Sequence, residues 1–265
     1  MSPVVNLAKS WTLQPNQIKF REIESAHKKY FDYPAVESEL EVRSYDSLID
    51  QSQSAVRYRV VKFEISLNNL RYINKALEKA NSLLIEGGHI FGTAVSNEQR
   101  RYSLKVKYGV VLSQLAYWVD FILHRFLSKL PLTKRLYFFI TKGCNRPLAY
   151  SEIIGRLISC GFEVLNLTKT QHLTGFKAVK IGPPVFDMFA SYGPLIRLPR
   201  VGLHGRQIYI RKFRTMHPYS EHMQKYLQSE LGLQESGKLK NDFRVTRWGG
   251  FARKFWLDEL PMIYN

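Results

Sequence analysis

Apolar and polar positions change period several times along the chain. Residues 56–65 alternate and are rich in β-branched side chains, which predicts a strand. Leu70, Ile73, Leu77, Ala80 and Leu84 then fall at helical spacing and predict a helix over 67–84. Gly87-Gly88 reads as the end of that helix, and residues 89–95 as a second strand. Alternation returns over 207–213, and Met223, Tyr226, Leu227 and Leu231 mark a helix over 220–231. Polar residues 44–54 and 235–242 read as loops, and 17–30 as a basic amphipathic helix.

Residues 108–127 form the most apolar run. Twenty residues of helix reach about 30 Å, a bilayer core. Gln114, Asp120, His124 and Arg125 interrupt the run, and central charges are costly in lipid. A full span is therefore not expected. Two readings stay open: an interfacial helix with Tyr117, Trp118 and Phe121 at the membrane surface, or a buried helix feeding a strand over 136–140. Lys129, Lys134 and Arg135, around Pro131, would meet anionic lipid.

The net charge of +17 favours polyanionic partners: nucleic acid, acidic lipid or a phosphorylated substrate. No helix-turn-helix, zinc or RNA-binding signature accompanies it, so nucleic acid is not expected as a partner. The cysteines, Cys144 and Cys160, have no metal-ligand spacing. The first ten residues lack the layout of a signal peptide.

The chemistry concentrates at the end of the chain. Asp258 and Glu259 sit side by side between apolar residues, with Arg253 and Lys254 shortly before them. A helix there would put Lys254 and Asp258 on one face. Such a carboxylate pair can hold a metal ion or act as a nucleophile. It can also be a solvated helix end.

Upstream stand Gly193-Pro194, then Arg200-Val201-Gly202-Leu203-His204-Gly205, then Lys212-Phe213-Arg214-Thr215-Met216. Asp242-Phe243-Arg244-Val245-Thr246-Arg247-Trp248-Gly249 follows, and Leu257-Asp258-Glu259-Leu260-Pro261 closes the series. Five motifs in this order resemble the bacterial sugar transferases, the monotopic phosphoglycosyl transferases. The resemblance implies transfer of a sugar 1-phosphate from a nucleotide sugar to polyprenyl phosphate, at the cytoplasmic face of the inner membrane. It implies Asp258 as nucleophile, Glu259 as ligand of Mg2+, and Arg253 as phosphate-binding. Lys212, Arg214 and Arg244 lie in matching motifs and are further phosphate-binding candidates. On residue type alone, Lys212 and Arg214 also fit a solvent-facing strand, Arg244 and Arg247 a turn cap, and Asp242 a helix N-cap.

The strand–helix–strand order over residues 56–95, with residues 149–181, resembles the later half of a class I methyltransferase. The resemblance implies three further elements, a helix over 151–157 and strands over 161–164 and 176–181. No glycine-rich turn follows a first strand, so S-adenosylmethionine binding is not expected. The expected fold is α/β: a degenerate methyltransferase-like domain over residues 1–182, then part of a phosphoglycosyl transferase α+β domain over 183–265. Two departures from the family pattern stand out. Only residues 185–190 occupy the place of its Pro-broken membrane helix, and its later Gly-x-Arg-Pro segment does not occur by Asn265, so the sequence reads either as a fragment or as a naturally shortened, inactive transferase. The competing reading is a non-catalytic, membrane-associated accessory protein of glycan assembly.

Overall fold

The computed structural model describes residues 39–51, 57–127, 131–186, 193–231 and 242–264. The helix expected over 17–30, and residues 235–241 of the expected loop, lie outside them. Residues 38–265 form one compact unit.

A five-stranded sheet organises the first part. Its strands are β1 (Glu39–Val42), β2 (Tyr58–Phe63), β3 (Leu84–Ala94), β4 (Phe162–Lys169) and β5 (Thr174–Lys180), in the order β1-β2-β3-β5-β4. β1, β2 and β3 run parallel, and β5 lies antiparallel between β3 and β4. The helices are α1 (Tyr45–Gln51), α2 (Ile73–Leu83), α3 (Asn97–Phe121), α4 (Pro131–Thr141) and α5 (Tyr150–Ser159). The architecture is α/β, as the patterning predicts. Phe63, Leu77, Ile90, Ile153, Leu157 and Phe162 form its fully buried core.

Three local readings are corrected. Residues 45–51 form a helix, not a loop. Ser44 and Ser47 cap it, each accepting from the other's backbone N–H, and Leu48 is fully buried beneath. Gly87-Gly88 does not end α2, which stops at Leu83. The pair lies within β3, with Gly87 at φ 74°. There β3 bulges: Leu84 pairs with Tyr58, and the next aligned residue, His89, pairs with Val60. Residues 136–140 belong to α4, not to a strand. Tyr137 packs inward while Leu136, Phe139 and Ile140 face out.

Residues 108–127 are not a buried core helix. Much of α3 is exposed, and a six-residue π-helical turn, Ile122–Leu127, continues it. The stretch Asn97–His124 is long and apolar enough to cross a membrane by length and composition. Its geometry is a bent one. The helix breaks at Gly109 (φ 73°, ψ −179°), and Arg100 on the first leg donates to both carboxylate oxygens of Asp120 on the second.

The second part is smaller. Strands β6 (Leu195–Val201) and β7 (Gln207–Phe213) form an antiparallel hairpin, with Leu195 opposite Phe213 and Val201 opposite Gln207. The β7 strand matches expectation. β6 was hidden by Pro199 and the prolines around it, and Pro199 is tolerated because a two-stranded ribbon is all edge. A 3-10 turn, Ser220–Met223, leads into α6 (Gln224–Leu231), and α7 (Arg247–Lys254) is followed by a 3-10 run over Leu257–Tyr264. The two parts meet through α5, where Ile154 packs with Met223 and Leu227 in a second buried cluster.

Candidate active site

A cavity of about 730 Å³ opens between the β6–β7 hairpin, the Ser220–Gln224 turn and the segment after α7. Lys212, Arg214, Arg244, Arg253, Asp258 and Glu259 all line it, although they come from four separate stretches of sequence. Arg197, from β6, and Glu221, from the 3-10 turn, join them. The lining carries five Lys or Arg side chains against three carboxylates, a balance suited to an anionic ligand.

Thr215 is the joint that assembles these stretches. Its carbonyl accepts from the Thr246 backbone N–H at 2.9 Å and from the Thr246 hydroxyl at 3.1 Å. The Thr246 hydroxyl in turn caps α7, accepting from the Gly249 N–H at 2.8 Å. Met216 and Val245 form an antiparallel bridge beside it. The Asp-Phe-Arg-Val-Thr-Arg-Trp-Gly motif is therefore a docking strip that carries α7 to the end of β7. Gly249 is required for this approach, because a Cβ there would lie 2.0 Å from the Thr215 carbonyl oxygen.

Arg253, in the last turn of α7, donates from Nε to the Thr215 hydroxyl at 3.0 Å, which orients the guanidinium at the cavity. The helix stops at Lys254, and Trp256 takes a left-handed conformation (φ 58°) before the 3-10 run begins. That break corrects the expectation of a continuous helix with Lys254 and Asp258 on one face.

The adjacent carboxylates have different surroundings. Glu259 is paired with the Lys212 ammonium from β7. The Asp258 carboxylate takes no hydrogen bond or ion pair among the described residues. Arg214 donates from Nε to the Gly193 carbonyl at 3.1 Å, tying the motif after β7 to the Gly-Pro motif before β6.

Arg244 is nearly buried, and its donors are largely committed. It grips Asp242 through Nε at 2.8 Å and a terminal nitrogen at 2.7 Å. Its other terminal nitrogen reaches the Gln224 side-chain oxygen at 3.0 Å and the Ser220 carbonyl at 3.3 Å. Burial alone would raise the Asp242 carboxyl. The Arg244 hydrogen bonds and charge outweigh it and hold the group below its ordinary value. Asp242 is thus the partner of Arg244, and Thr246 is the helix N-cap.

Sequence reasoning missed Arg197, Glu221 and Gln224. None lies in a recognisable motif, and only the hairpin and the 3-10 turn bring them to the cavity. Among the described residues, no group of three His, Cys, Asp or Glu side chains is placed to hold a metal. The pair Asp258–Glu259 offers hard oxygen donors at a cavity lined by cations. That fits magnesium, which is commonly held by one or two carboxylates and completed by substrate phosphates.

Residues 185–265 match the family model "Bacterial sugar transferase". Over 94 residues the chain is 42% identical to the UDP-glucose:undecaprenyl-phosphate glucose-1-phosphate transferase of Xanthomonas campestris pv. campestris, covering 35% of this chain and 18% of that protein. Over 71 residues it is 41% identical to the undecaprenyl-phosphate galactose phosphotransferase of Salmonella typhimurium, covering 25% of this chain and 15% of that protein. The matched segments thus span less than a fifth of those two relatives. Among solved structures, an O-methyltransferase family protein from Burkholderia thailandensis is 15% identical with a TM-score of 0.30, covering 61% of this chain and 40% of that one. A methyltransferase from Methanosarcina mazei is 13% identical with a TM-score of 0.31, covering 49% and 64%. Likenesses this distant carry no reading of activity. The cavity and its charged lining fall wholly within residues 185–265, the segment that matches the bacterial sugar transferase family model.

Proposed function

We propose that this protein is a phosphoglycosyl transferase, moving a sugar 1-phosphate from a nucleotide sugar to polyprenyl phosphate through a covalent intermediate on Asp258. The observation that carries the reading is the contrast between the two carboxylates. Among the described residues Asp258 takes no partner at a cation-lined cavity, while its neighbour Glu259 is engaged by Lys212. The names of the Xanthomonas and Salmonella relatives support the class of acceptor, and the first of them a nucleotide-sugar donor.

In the first half-reaction, an Asp258 carboxylate oxygen attacks the sugar-linked phosphorus of the donor. An O–P bond forms to Asp258, the bond to the bridging oxygen breaks, and a nucleoside monophosphate leaves. In the second, a phosphate oxygen of polyprenyl phosphate attacks the same phosphorus and releases the Asp258 carboxylate. A carboxylate nucleophile splits one displacement into two. Arg253 and Arg214 hold phosphate oxygens, where a guanidinium can donate two parallel hydrogen bonds. Lys212 keeps Glu259 in place and adds positive charge beside the reacting phosphate. Arg244 shapes the wall by clamping the Ser220–Gln224 turn. Magnesium, with Glu259 as its protein ligand, would supply charge neutralisation at the diphosphate.

The domain organisation proposed here is a methyltransferase-like part over 1–182 and the transferase part over 183–265. The protein works at a membrane surface, on the cytoplasmic face where nucleotide sugars are found.

The test is mass spectrometry of the full-length gene product mixed with nucleotide sugar and magnesium, without acceptor. A sugar-phosphate adduct is expected on the peptide containing Asp258 and none in Asp258→Asn. That variant should lose on the order of a thousandfold or more in turnover yet still bind nucleotide sugar. An adduct elsewhere, or a wild-type rate in the variant, would rule out Asp258 as nucleophile.

A further inference from the structure

A run of exposed apolar side chains lies far from the cavity in sequence. It is the arm made by α3, bent at Gly109. Along one unbroken helix, Arg100 and Asp120 would stand about 30 Å apart. Here they are hydrogen-bonded, and Arg101 stacks on the Tyr117 ring at 5.4 Å. Residues 97–108 therefore run outward, and residues 110–121 run back beside them. Gly109 makes the turn at positive φ, with open space where a Cβ would stand.

The base of the arm is fixed. Ser96 and Gln99 form a capping box, and Gln99 also donates to the Thr170 carbonyl at 2.8 Å in the β4–β5 connection. The tip is bare. Val106, Val110, Val111, Leu112 and Leu115 are each more than 60% exposed, and Trp118 on the return leg is 60% exposed. A soluble monomer rarely presents a contiguous apolar patch of this kind.

We infer that the bent arm is a membrane-docking device, entering the interface of an anionic bilayer tip first. The inference deepens the membrane part of the function proposed above, and it commits to a lipid surface on grounds of charge. Exposed Lys105 and Lys107 alternate with Val106 and Tyr108 at the tip. Residues 97–142 hold nine Lys or Arg and only two acids. Both acids are engaged within the protein: Asp120 by Arg100, and Glu98 by Lys169. The outer surface therefore offers apolar side chains with a cationic collar, the composition that binds acidic headgroups. A second copy would meet the same positive charge and be repelled. The internal pairing of Asp120 also explains how so apolar a run tolerates a carboxylate: that charge faces the other leg.

The full chain should co-sediment with vesicles of equal parts phosphatidylcholine and phosphatidylglycerol, much less with phosphatidylcholine alone, and salt should release part of it. Val111→Asp combined with Leu112→Asp should lower the bound fraction about tenfold. Both side chains are exposed, so the thermal midpoint should stay unchanged and report intact folding. Lys105→Glu combined with Lys107→Glu should remove most of the preference for the anionic vesicles. Asp258→Asn should bind vesicles like wild type, so failure of the transfer chemistry and failure of the docking arm are read separately. Equal sedimentation of wild type and the Asp pair would overturn the inference. So would a dimer that needs Val111 and Leu112 in a protein that ignores vesicles.

Discussion

Gly249 and Gly250 are neighbours in α7 with opposite requirements. A methyl group on Gly249 would overlap the Thr215 carbonyl, which also holds Thr246. A methyl group on Gly250 would meet nothing within 4 Å. In a helix, alanine is favoured over glycine by up to about 1 kcal/mol. Gly250→Ala should therefore be neutral or stabilising, whereas Gly249→Ala should lose about 1–3 kcal/mol through overpacking. Denaturant titration of the two variants decides it, and equal midpoints would mean that α7 docks on Thr215 less tightly than described. This pair also shows what was legible at single positions. Asp258, Glu259 and the basic residues stand in ordered motifs, so their residue types announced them. The difference between Asp258 and Glu259 did not, because it depends on Lys212 arriving from a strand far upstream. Arg197 and Glu221 carry no local pattern at all.

Between elements, the Asp242–Arg244 pair acts as a clamp. Through Arg244 it ties the strip before α7 to Ser220 and Gln224, so two walls of the cavity share one guanidinium. The Asp242 carboxyl is held below its ordinary value, so its contribution is present above the unfolded-state value of about 3.9 and fades as pH falls through the lower folded value. Asp242→Asn should therefore be less stable than wild type at pH 7, and the gap should close below about pH 4. Thermal melts of both proteins across that range measure it. A constant gap would assign the loss to packing and not to charge. The elements themselves were read well where one period persisted, as in α2 and β7. They were misread where composition and period disagreed. The aromatic run at 136–140 suggested a strand, yet Pro131 stands at the first position of the helix, a favoured place for proline. Gly87-Gly88 suggested a helix stop, but the same flexibility serves a bulge inside β3.

For the whole molecule, a net charge of +17 was plain in the sequence, but its placement was not. One portion lines the cavity and another collars the arm, and only folding separates them. The link between the two sheets was equally hidden, since it joins residues far apart in the chain. Gly155 of α5 sits against the backbone of Tyr219, where a Cβ would lie 2.4 Å from the carbonyl oxygen. Tyr219 is itself in the left-handed region (φ 64°), and the Arg156 guanidinium stacks on its ring at 4.4 Å. The next residues, Ser220 and Glu221, line the cavity. The part built on the five-stranded sheet therefore braces a wall of the cavity. Gly155→Ala must push α5 and this turn apart, because neither contacting backbone can swing away as a side chain would. The expected loss is about 1–3 kcal/mol, which lowers the melting midpoint by roughly 2–4 °C per kcal/mol for a protein of this size. Nucleotide-sugar binding should weaken with it, since the turn that moves carries the wall. Gly182→Ala, with open space around its Cβ position, is the matched control and should change neither property. If Gly155→Ala melts early but binds nucleotide sugar with wild-type affinity, the brace supports the fold and not the site. If it keeps both the wild-type midpoint and affinity, the close packing of α5 on Tyr219 is refuted.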